Sequence, residues 1–365
     1  MRTAISIAAL TALLLGGCAE DRFDLGTLPT GGTTVVGETT YVQLNPPWTG
    51  FNQPQAVVIG NEPFAYVADT ENDRIVMLDL SGRVIGVSPP VRRPIAVAQD
   101  KRLQLIVCAQ FDTLLPGRAE PTTFGAIYRF DLPAAAHVIS QAVPRRVFFE
   151  PSDSSRRYTG VATMYDNSYY ITRTGPKNEL ARVDRDRAVL LFAKNDSLIT
   201  PVTQNFSPDG TGLLSIHEMT AIATMPTGRS VEYVFAQVEA PSSAIIPFYK
   251  VQWIRLVAEG QTTNYVSKFY PSADGEIDLL RINRFIRPSG LTLDPSGNLF
   301  VADAALDSVF RFNSRGVERY SFGGSGSGEK RFNAPAGLAY FDRTLYVADK
   351  GNNRIVRFRL STDLR

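Results

Sequence analysis

The chain has little of what most catalytic sites are built from. Its 365 residues include only two histidines and two cysteines. A catalytic zinc usually takes three protein ligands, often imidazoles, and keeps a fourth position open. His137 and His217 fall in unrelated segments and do not make such a set. Two cysteines exclude a multi-bridge disulfide framework. Charge of one sign is missing as well: 38 Lys and Arg stand against 36 Asp and Glu, a formal charge of +2, so no net field argues for a nucleic-acid partner. A long apolar run occurs only near the N-terminus. What is plentiful is punctuation, with 28 glycines and 23 prolines, about one residue in seven, which favours many turns over long helices. With 44% hydrophobic residues there is enough apolar material for a large folded core.

Arg2 followed by the apolar run Ala4 to Leu15 has the n-region and h-region of a secretory signal. The run is too short to span a bilayer. It ends in Leu15-Gly16-Gly17-Cys18, which resembles the bacterial lipobox. The resemblance implies cleavage before Cys18, acylation of its thiol by palmitate-type chains, and firm anchoring, since each buried methylene adds about 0.8 kcal/mol. Ala19 follows Cys18 where no Asp stands, which by analogy with enterobacterial lipoproteins implies the outer membrane. Glu20-Asp21 is similar to the acidic export signal of Bacteroidota surface lipoproteins. The Gly-, Thr- and Pro-rich stretch that follows reads as a tether. The expected division is a signal peptide at 1–17, a lipidated tether at 18–40 and one folded domain at 41–365.

The folded part repeats itself. Pro288-Ser289-Gly290-Leu291, Leu299-Phe300-Val301-Ala302-Asp303 and Val309-Phe310-Arg311-Phe312 return as Pro335-Ala336-Gly337-Leu338, Leu345-Tyr346-Val347-Ala348-Asp349 and Ile355-Val356-Arg357-Phe358. A third copy runs from Pro54-Gln55-Ala56-Val57 through Tyr66-Val67-Ala68-Asp69 to Ile75-Val76-Met77-Leu78. Weaker copies open at Pro94, Tyr158 and Met219 with the same small-then-apolar start. From opening residue to the end of the second strand the six offsets are 15, 15, 15, 18, 15 and 14 residues in chain order. Each unit holds three or four short strands joined by turn residues. A single unit cannot bury both faces, so six must pack radially and close on themselves. Too few residues follow the sixth copy for an outer strand, and Thr40-Tyr41-Val42-Gln43-Leu44 is available to supply it. The expected fold is an all-β, six-bladed β-propeller whose ring is closed by an N-terminal strand completing the last blade.

The pattern P-x-G-[LIV] followed by [YF]-V-A-D-x-x-N-x-R-[IV] is similar to the NHL repeat. The match is close at Asp69 to Ile75 and Asp349 to Ile355, and the Gly-rich Phe322 to Gly328 resembles that family's interblade link. The family hosts lyases, lactonase-like relatives, RNA-binding modules and scaffolds, so fold does not select function.

Residue chemistry points away from catalysis. Asp69, Asp303 and Asp349 occupy one blade position and read as structural turn residues that accept bonds from nearby amides. Asp184-Arg185-Asp186 and Asp274-Gly275-Glu276 read as hairpin turns, since neither has EF-hand spacing. Gly324 to Gly328 lacks a phosphate loop's Gly-Lys-Ser/Thr ending and a nucleophile elbow's Ser, and reads as a flexible link. Cys108, inside Leu105-Ile106-Val107-Cys108-Ala109, reads as a buried inert thiol. No metal ligand set and no cofactor motif is found.

Irregularity is concentrated instead. At the strand-end position the ring reads Asp69, Ala109, Arg173, Gln237, Asp303 and Asp349. The three neighbouring blades that lose the Asp carry the long insertions at 111–124, 194–218 and 238–247, all expected on one face. Loops on a rigid scaffold are where binding resides. Phe111, Leu114, Leu115 and Phe124 in blade 2, Ile245 and Ile246 in blade 4, and the nearby Arg157, Arg173 and Gln237 are therefore the candidate partner-binding residues. The expected function is an outer-membrane or surface lipoprotein acting as a monomeric, non-catalytic scaffold for another cell-envelope protein. Its rivals are a binder of small ligands or glycans in the central channel and a calcium-dependent lactonase or lyase, which would need converging carboxylate and amide oxygens.

Overall fold

The computed structural model describes residues 40–179, 184–202, 216–238, 249–260, 262–270 and 277–364. Tyr41–Arg365 forms one compact unit. After β1 (Tyr41–Trp48), blade 1 consists of β2 (Pro54–Ile59), β3 (Phe64–Asp69), β4 (Arg74–Asp79) and β5 (Val84–Val87). Blade 2 follows as β6 (Arg92–Gln99), β7 (Gln104–Thr113), β8 (Thr122–Asp131) and β9 (Arg145–Phe149). Blade 3 is β10 (Arg157–Thr163), β11 (Tyr169–Thr174), β12 (Ala188–Phe192) and β13 (Leu198–Val202), and blade 4 is β14 (Glu218–Thr224), β15 (Tyr233–Val238), β16 (Val251–Glu259) and β17 (Thr262–Ser267). Blade 5 is β18 (Pro288–Leu293), β19 (Leu299–Asp303), β20 (Ser308–Phe312) and β21 (Glu318–Gly323). Blade 6 supplies β22 (Pro335–Phe341), β23 (Thr344–Asp349) and β24 (Arg354–Leu360).

Each blade is a four-stranded antiparallel meander, and the sixth is completed by β1 in the order β1-β24-β23-β22. The closing register runs from Tyr41↔Leu360 to Leu44↔Arg357 and reaches Trp48↔Ile355 after a shift. The closing strand is thus longer than the sequence pattern shows. Its ends are anchored by aromatic packing: Tyr41 stacks on Phe322 at 5.1 Å, and the Trp48 indole N–H donates to the Ser81 carbonyl.

The core is divided into six wedges, one at each blade boundary. Innermost strands converge on the axis, which explains the small residue third in every repeat: Ala56, Ala96, Gly160, Ala221, Gly290 and Gly337. At Gly290 a Cβ would lie 1.8 Å from the Ala336 carbonyl oxygen, and at Gly337 2.6 Å from the Ala56 Cα. Between Ile277 and Arg287 the chain is neither a regular helix nor a strand. A short 3-10 turn at Asp278–Leu280 and Phe285 fill the wedge between blades 4 and 5, while Ile282 and Ile286 stay exposed.

Two sequence expectations need correction. Residues 111–124 are not a loop throughout: 111–113 and 122–124 are paired strand, and the loop is confined to 114–121. The β7–β8 ladder continues through Phe111↔Phe124 to Thr113↔Thr122, because the alternating side chains of both arms keep a pairing pattern. The Gly-rich link is also not a loose spacer. Gly323, Gly324 and Gly326 adopt positive φ, and side chains of blade 6 hold its carbonyls: Asn352 donates to Gly326 and Arg354 to Ser327.

Candidate functional site

Let the upper face be the one where second strands end and interblade links emerge. At the strand-end position, blades 1 and 6 are built alike. Asp69 Oδ1 accepts the Asn52 amide at 2.6 Å, and Oδ2 accepts Asn72 Nδ2 and Arg74 Nε at 2.8 and 2.7 Å. Asp349 repeats this with Asn333, Asn352 and Arg354 at 2.8, 2.8 and 2.7 Å. Asp303 accepts four backbone amides, those of Ile286, Arg287, Ala305 and Leu306. All three carboxylates tie the strand end to the preceding interblade link. Burial raises the Asp349 pKa despite these donors.

A further tie was hidden in a variable position of the repeat. Asp73, Asn353 and Asp307 follow the strand-end turn in left-handed conformation, at φ 52°, 56° and 47°, a region Asn and Asp tolerate. Each accepts the backbone N–H of the residue just before the next blade's opening residue: Arg93 at 2.7 Å, Gln53 at 2.8 Å and Ala334 at 2.7 Å respectively. The Asx residue inside N-x-R or its equivalent was the available signal.

In blades 4 and 3 the same anchorage uses other chemistry. Gln237 is fully buried; its Oε1 accepts the His217 amide and its Nε2 donates to the Tyr249 carbonyl, both at 2.8 Å. Arg173 is buried and donates to Glu150 Oε1 at 2.6 Å, Asp184 Oδ1 at 2.7 Å and the carbonyls of Arg185 and Asp186. Arg156 shares Glu150 and Asp184 and adds Asp186 Oδ1 at 2.8 Å. Burial alone would lower the Arg156 pKa, but hydrogen bonds to Asp186 and Asp184 and the Glu150 charge raise it. Asp184 and Asp186 are therefore clamps on two arginines, beyond the turn role read from sequence.

The candidate binding residues separate accordingly. Arg173 and Gln237 are consumed internally and offer no surface to a partner, because each replaces the missing strand-end Asp. Phe124 is buried, stacked with Phe111 at 5.6 Å and edge-on to Phe149 at 5.9 Å. The Arg146 guanidinium lies 3.8 Å over the Phe111 ring. This cluster roots a stiff hairpin arm whose tip displays Leu114, 62% exposed, with Leu115 half-buried. Arg92 secures the arm's edge through Asp112 and Thr123. Arg157 is half-buried and donates to the Ser154 and Arg156 carbonyls. Gly125 of β8 packs against Arg156 and Arg157, where a Cβ would meet the Arg156 carbonyl at 2.8 Å, so arm and blade 3 are seated together. Cys18, Ile245 and Ile246 lie outside the described residues.

A cavity of about 590 Å³ occupies the channel and reaches the first-to-second-strand turns of the lower face. Of its lining residues only Lys101 and Asp342 carry charge; Gln55, Asn61 and Gln99 add amides, and the rest are small, apolar or hydroxyl side chains. Several hydroxyls stitch blades together: Thr159 donates to the Met219 carbonyl, Thr220 to Pro288 and Ser289 to Pro335, at 2.8, 2.7 and 2.6 Å. Among the described residues no group of three His, Cys, Asp or Glu side chains is placed to hold a metal. His137 sits instead in the link after β8, 3.2 Å from Glu62. Cys108 is buried, and burial pushes its thiol pKa up.

These features place the chain among six-bladed β-propellers, and the NHL repeat family matches residues 332–358. No curated protein matches the chain by sequence. Solved structures share the fold at low identity. The PQQ-bound aldose sugar dehydrogenase of Streptomyces coelicolor is 14% identical over 89% of this chain and 99% of its own, with a TM-score of 0.57. An auxiliary nutrient binding protein of Bacteroides thetaiotaomicron is 12% identical over 88% of this chain and 77% of its own, with a TM-score of 0.55. A putative gluconolactonase is 13% identical over 88% and 92%, with a TM-score of 0.51. Likeness at this level shows the fold alone.

Proposed function

We propose that the protein is a non-catalytic binding propeller of the bacterial cell envelope, anchored by lipid on Cys18, which docks another envelope protein on the β7–β8 arm. The observation that carries the reading is the arm itself. An insertion tolerated merely because long loops cost little has no need of a continued ladder, an aromatic root and a cation over its ring. A projection whose paired base carries an exposed leucine beside its last rung offers a partner a surface that part of the chain already holds in place.

The test is crosslinking in intact cells followed by recovery in mild detergent. Wild type is compared with a variant whose residues 114–121 are replaced by Asn-Gly, which preserves the Thr113↔Thr122 pair, and with Leu114→Asp. One envelope protein recovered in stoichiometric amount with wild type and lost with both variants is expected. Equal recovery with the trimmed arm, or none with wild type, would refute the docking role. For the anchor, Cys18→Ser should leave the protein unlabelled by fatty acid and shift it out of the membrane fraction; unchanged fractionation would defeat that part.

A second reading rests on the channel cavity, which is large enough for a small ligand. Such binding would survive removal of the arm.

A further inference from the structure

Charge brought close together in this propeller is mostly neutralised within it. Arg129 lies between Asp100 and Asp196, and Arg156 and Arg173 lie among Glu150, Asp184 and Asp186. The upper mouth of the channel differs. The residue before each blade's opening residue stands at this mouth, and in chain order these are Gln53, Arg93, Arg157, Glu218, Arg287 and Ala334. Lys350 joins them from the turn after Asp349. Arg287 of blade 5, Glu71 of blade 1 and Arg93 of blade 2 all act electrostatically on the Lys350 ammonium of blade 6, so groups from four blades converge. Glu71 pairs with Arg93 at 2.8 Å. Among the described residues, the Arg287 guanidinium and the half-buried Lys350 ammonium have neither a hydrogen bond nor an ion pair.

We propose that this mouth is a binding site for a small anion carrying at least two carboxylate or phosphate groups, held by Arg287, Lys350 and Arg93. The Arg287 guanidinium and the Lys350 ammonium are each left without an ion pair among the described residues, while the nearby Asp303 and Asp73 carboxylates are turned to the Arg287 and Arg93 backbone amides. Burial and the Arg287 charge lower the Lys350 pKa, the Glu71 charge acts to raise it and the Arg93 charge to lower it, with a net downward shift. An incoming anion recovers the energy stored in that repulsion. Guanidinium forks take carboxylate or phosphate in bidentate fashion. Two anionic groups are needed because the two unpartnered cations come from different blades. Arg93 is held for the task before any ligand arrives: its amide is clamped by Asp73 and its backbone is left-handed at φ 45°.

Isothermal titration of the full lipidated chain in detergent, with citrate and separately with pyrophosphate at physiological ionic strength, tests the site. Saturable one-to-one binding of at least one anion is expected, and the tighter of the two identifies the preferred group. Arg287→Gln or Lys350→Gln should each weaken it about tenfold, as for loss of one charge-assisted hydrogen bond. Absence of saturable binding to wild type, or unchanged affinity in both variants, overturns the proposal. Arg287 is exposed, so its variant carries the test if the Lys350 variant melts early. The variant with the trimmed arm should bind either anion as wild type does, which keeps this site and the docking arm separately falsifiable.

Discussion

Blades 5, 6 and 1 and blades 2, 3 and 4 reach the same architecture by different chemistry. In the first half a short repeated motif makes the strand-end ties. A strand-end Asp holds the link behind it, and an Asx residue in left-handed conformation holds the blade ahead. In the second half no such motif survives. Arg173 with Glu150 and Asp184 and Gln237 with the His217 amide take over, while hydroxyl ties from the first strands occur in both halves. The boundary of blades 2 and 3 is bracketed by buried ions, with Arg129, Asp100 and Asp196 below and the Arg156–Arg173 cluster above. A propeller requires that each strand end be tied to its neighbours, but it does not require a particular residue to tie it. Once the motif is given up, the sector is released to carry an arm.

The largest effect should come from breaking the ring that both halves share. Deleting residues 41–48 removes the outer strand of blade 6, and a single cooperative loss of structure at ordinary temperature is expected by circular dichroism. A truncation that melts like the parent would show that the ring does not depend on its clasp. Next, Gly290→Ala forces a Cβ into the Ala336 carbonyl and should cost more than about 3 kcal/mol in urea unfolding. Asp349→Ala and Gln237→Ala then compare the halves directly. The first removes the counter-charge of Arg354, which is 12% exposed, at a cost of about 3–5 kcal/mol; the second removes one hydrogen bond from the His217 amide and one from the Tyr249 carbonyl, at about 1–3 kcal/mol. Equal losses would mean that the charge adds nothing to the tie.

Acid should separate the halves with opposite sign. For Asp184 burial acts to raise the pKa, but hydrogen bonds and charge from Arg173 and Arg156 lower it; Lys177 and Ser155 lower that of Asp153. Their stabilising contributions are present above the ordinary Asp range and fade as pH falls through their lower folded values. Asp349 is displaced upward by burial, so its ionised form is disfavoured in the fold. That unfavourable contribution disappears as pH falls from its folded to its unfolded value. Hydrogen exchange from neutral pH to about pH 3 should therefore show protection lost near Arg156 and Arg173 before it is lost near Asn333. The reverse order would contradict the assignment. Smallest of all, Leu114→Asp should change stability by no more than about 0.5 kcal/mol, since the aromatic root and not the tip holds the arm.

The legible parts were those encoded locally. The repeat at Asp69, Asp303 and Asp349 could be read because all its partners lie within about twenty residues, and counting strands against blades pointed to β1. Arg173 and Gln237 read as binding candidates because departure from a motif looks the same in sequence whether a residue is released for binding or replaces the tie. Glu150 and Asp186, which settle the matter for Arg173, carry no pattern of their own. Phe111 and Phe124 looked like loop residues because the register that pairs them is set by β7 and β8 far below the tip.

Fold class, blade number and the need for a closing strand followed from the sequence alone, because strand periodicity and turn residues repeat at near-constant spacing. Which charges neutralise one another, which insertion stands rigid, and where Arg93, Arg287 and Lys350 meet were decided only by the tertiary structure. Closing a ring brings together residues from four blades that are hundreds of positions apart, and electrostatic energy depends on that distance in space and on burial, neither of which is written in the order of the residues.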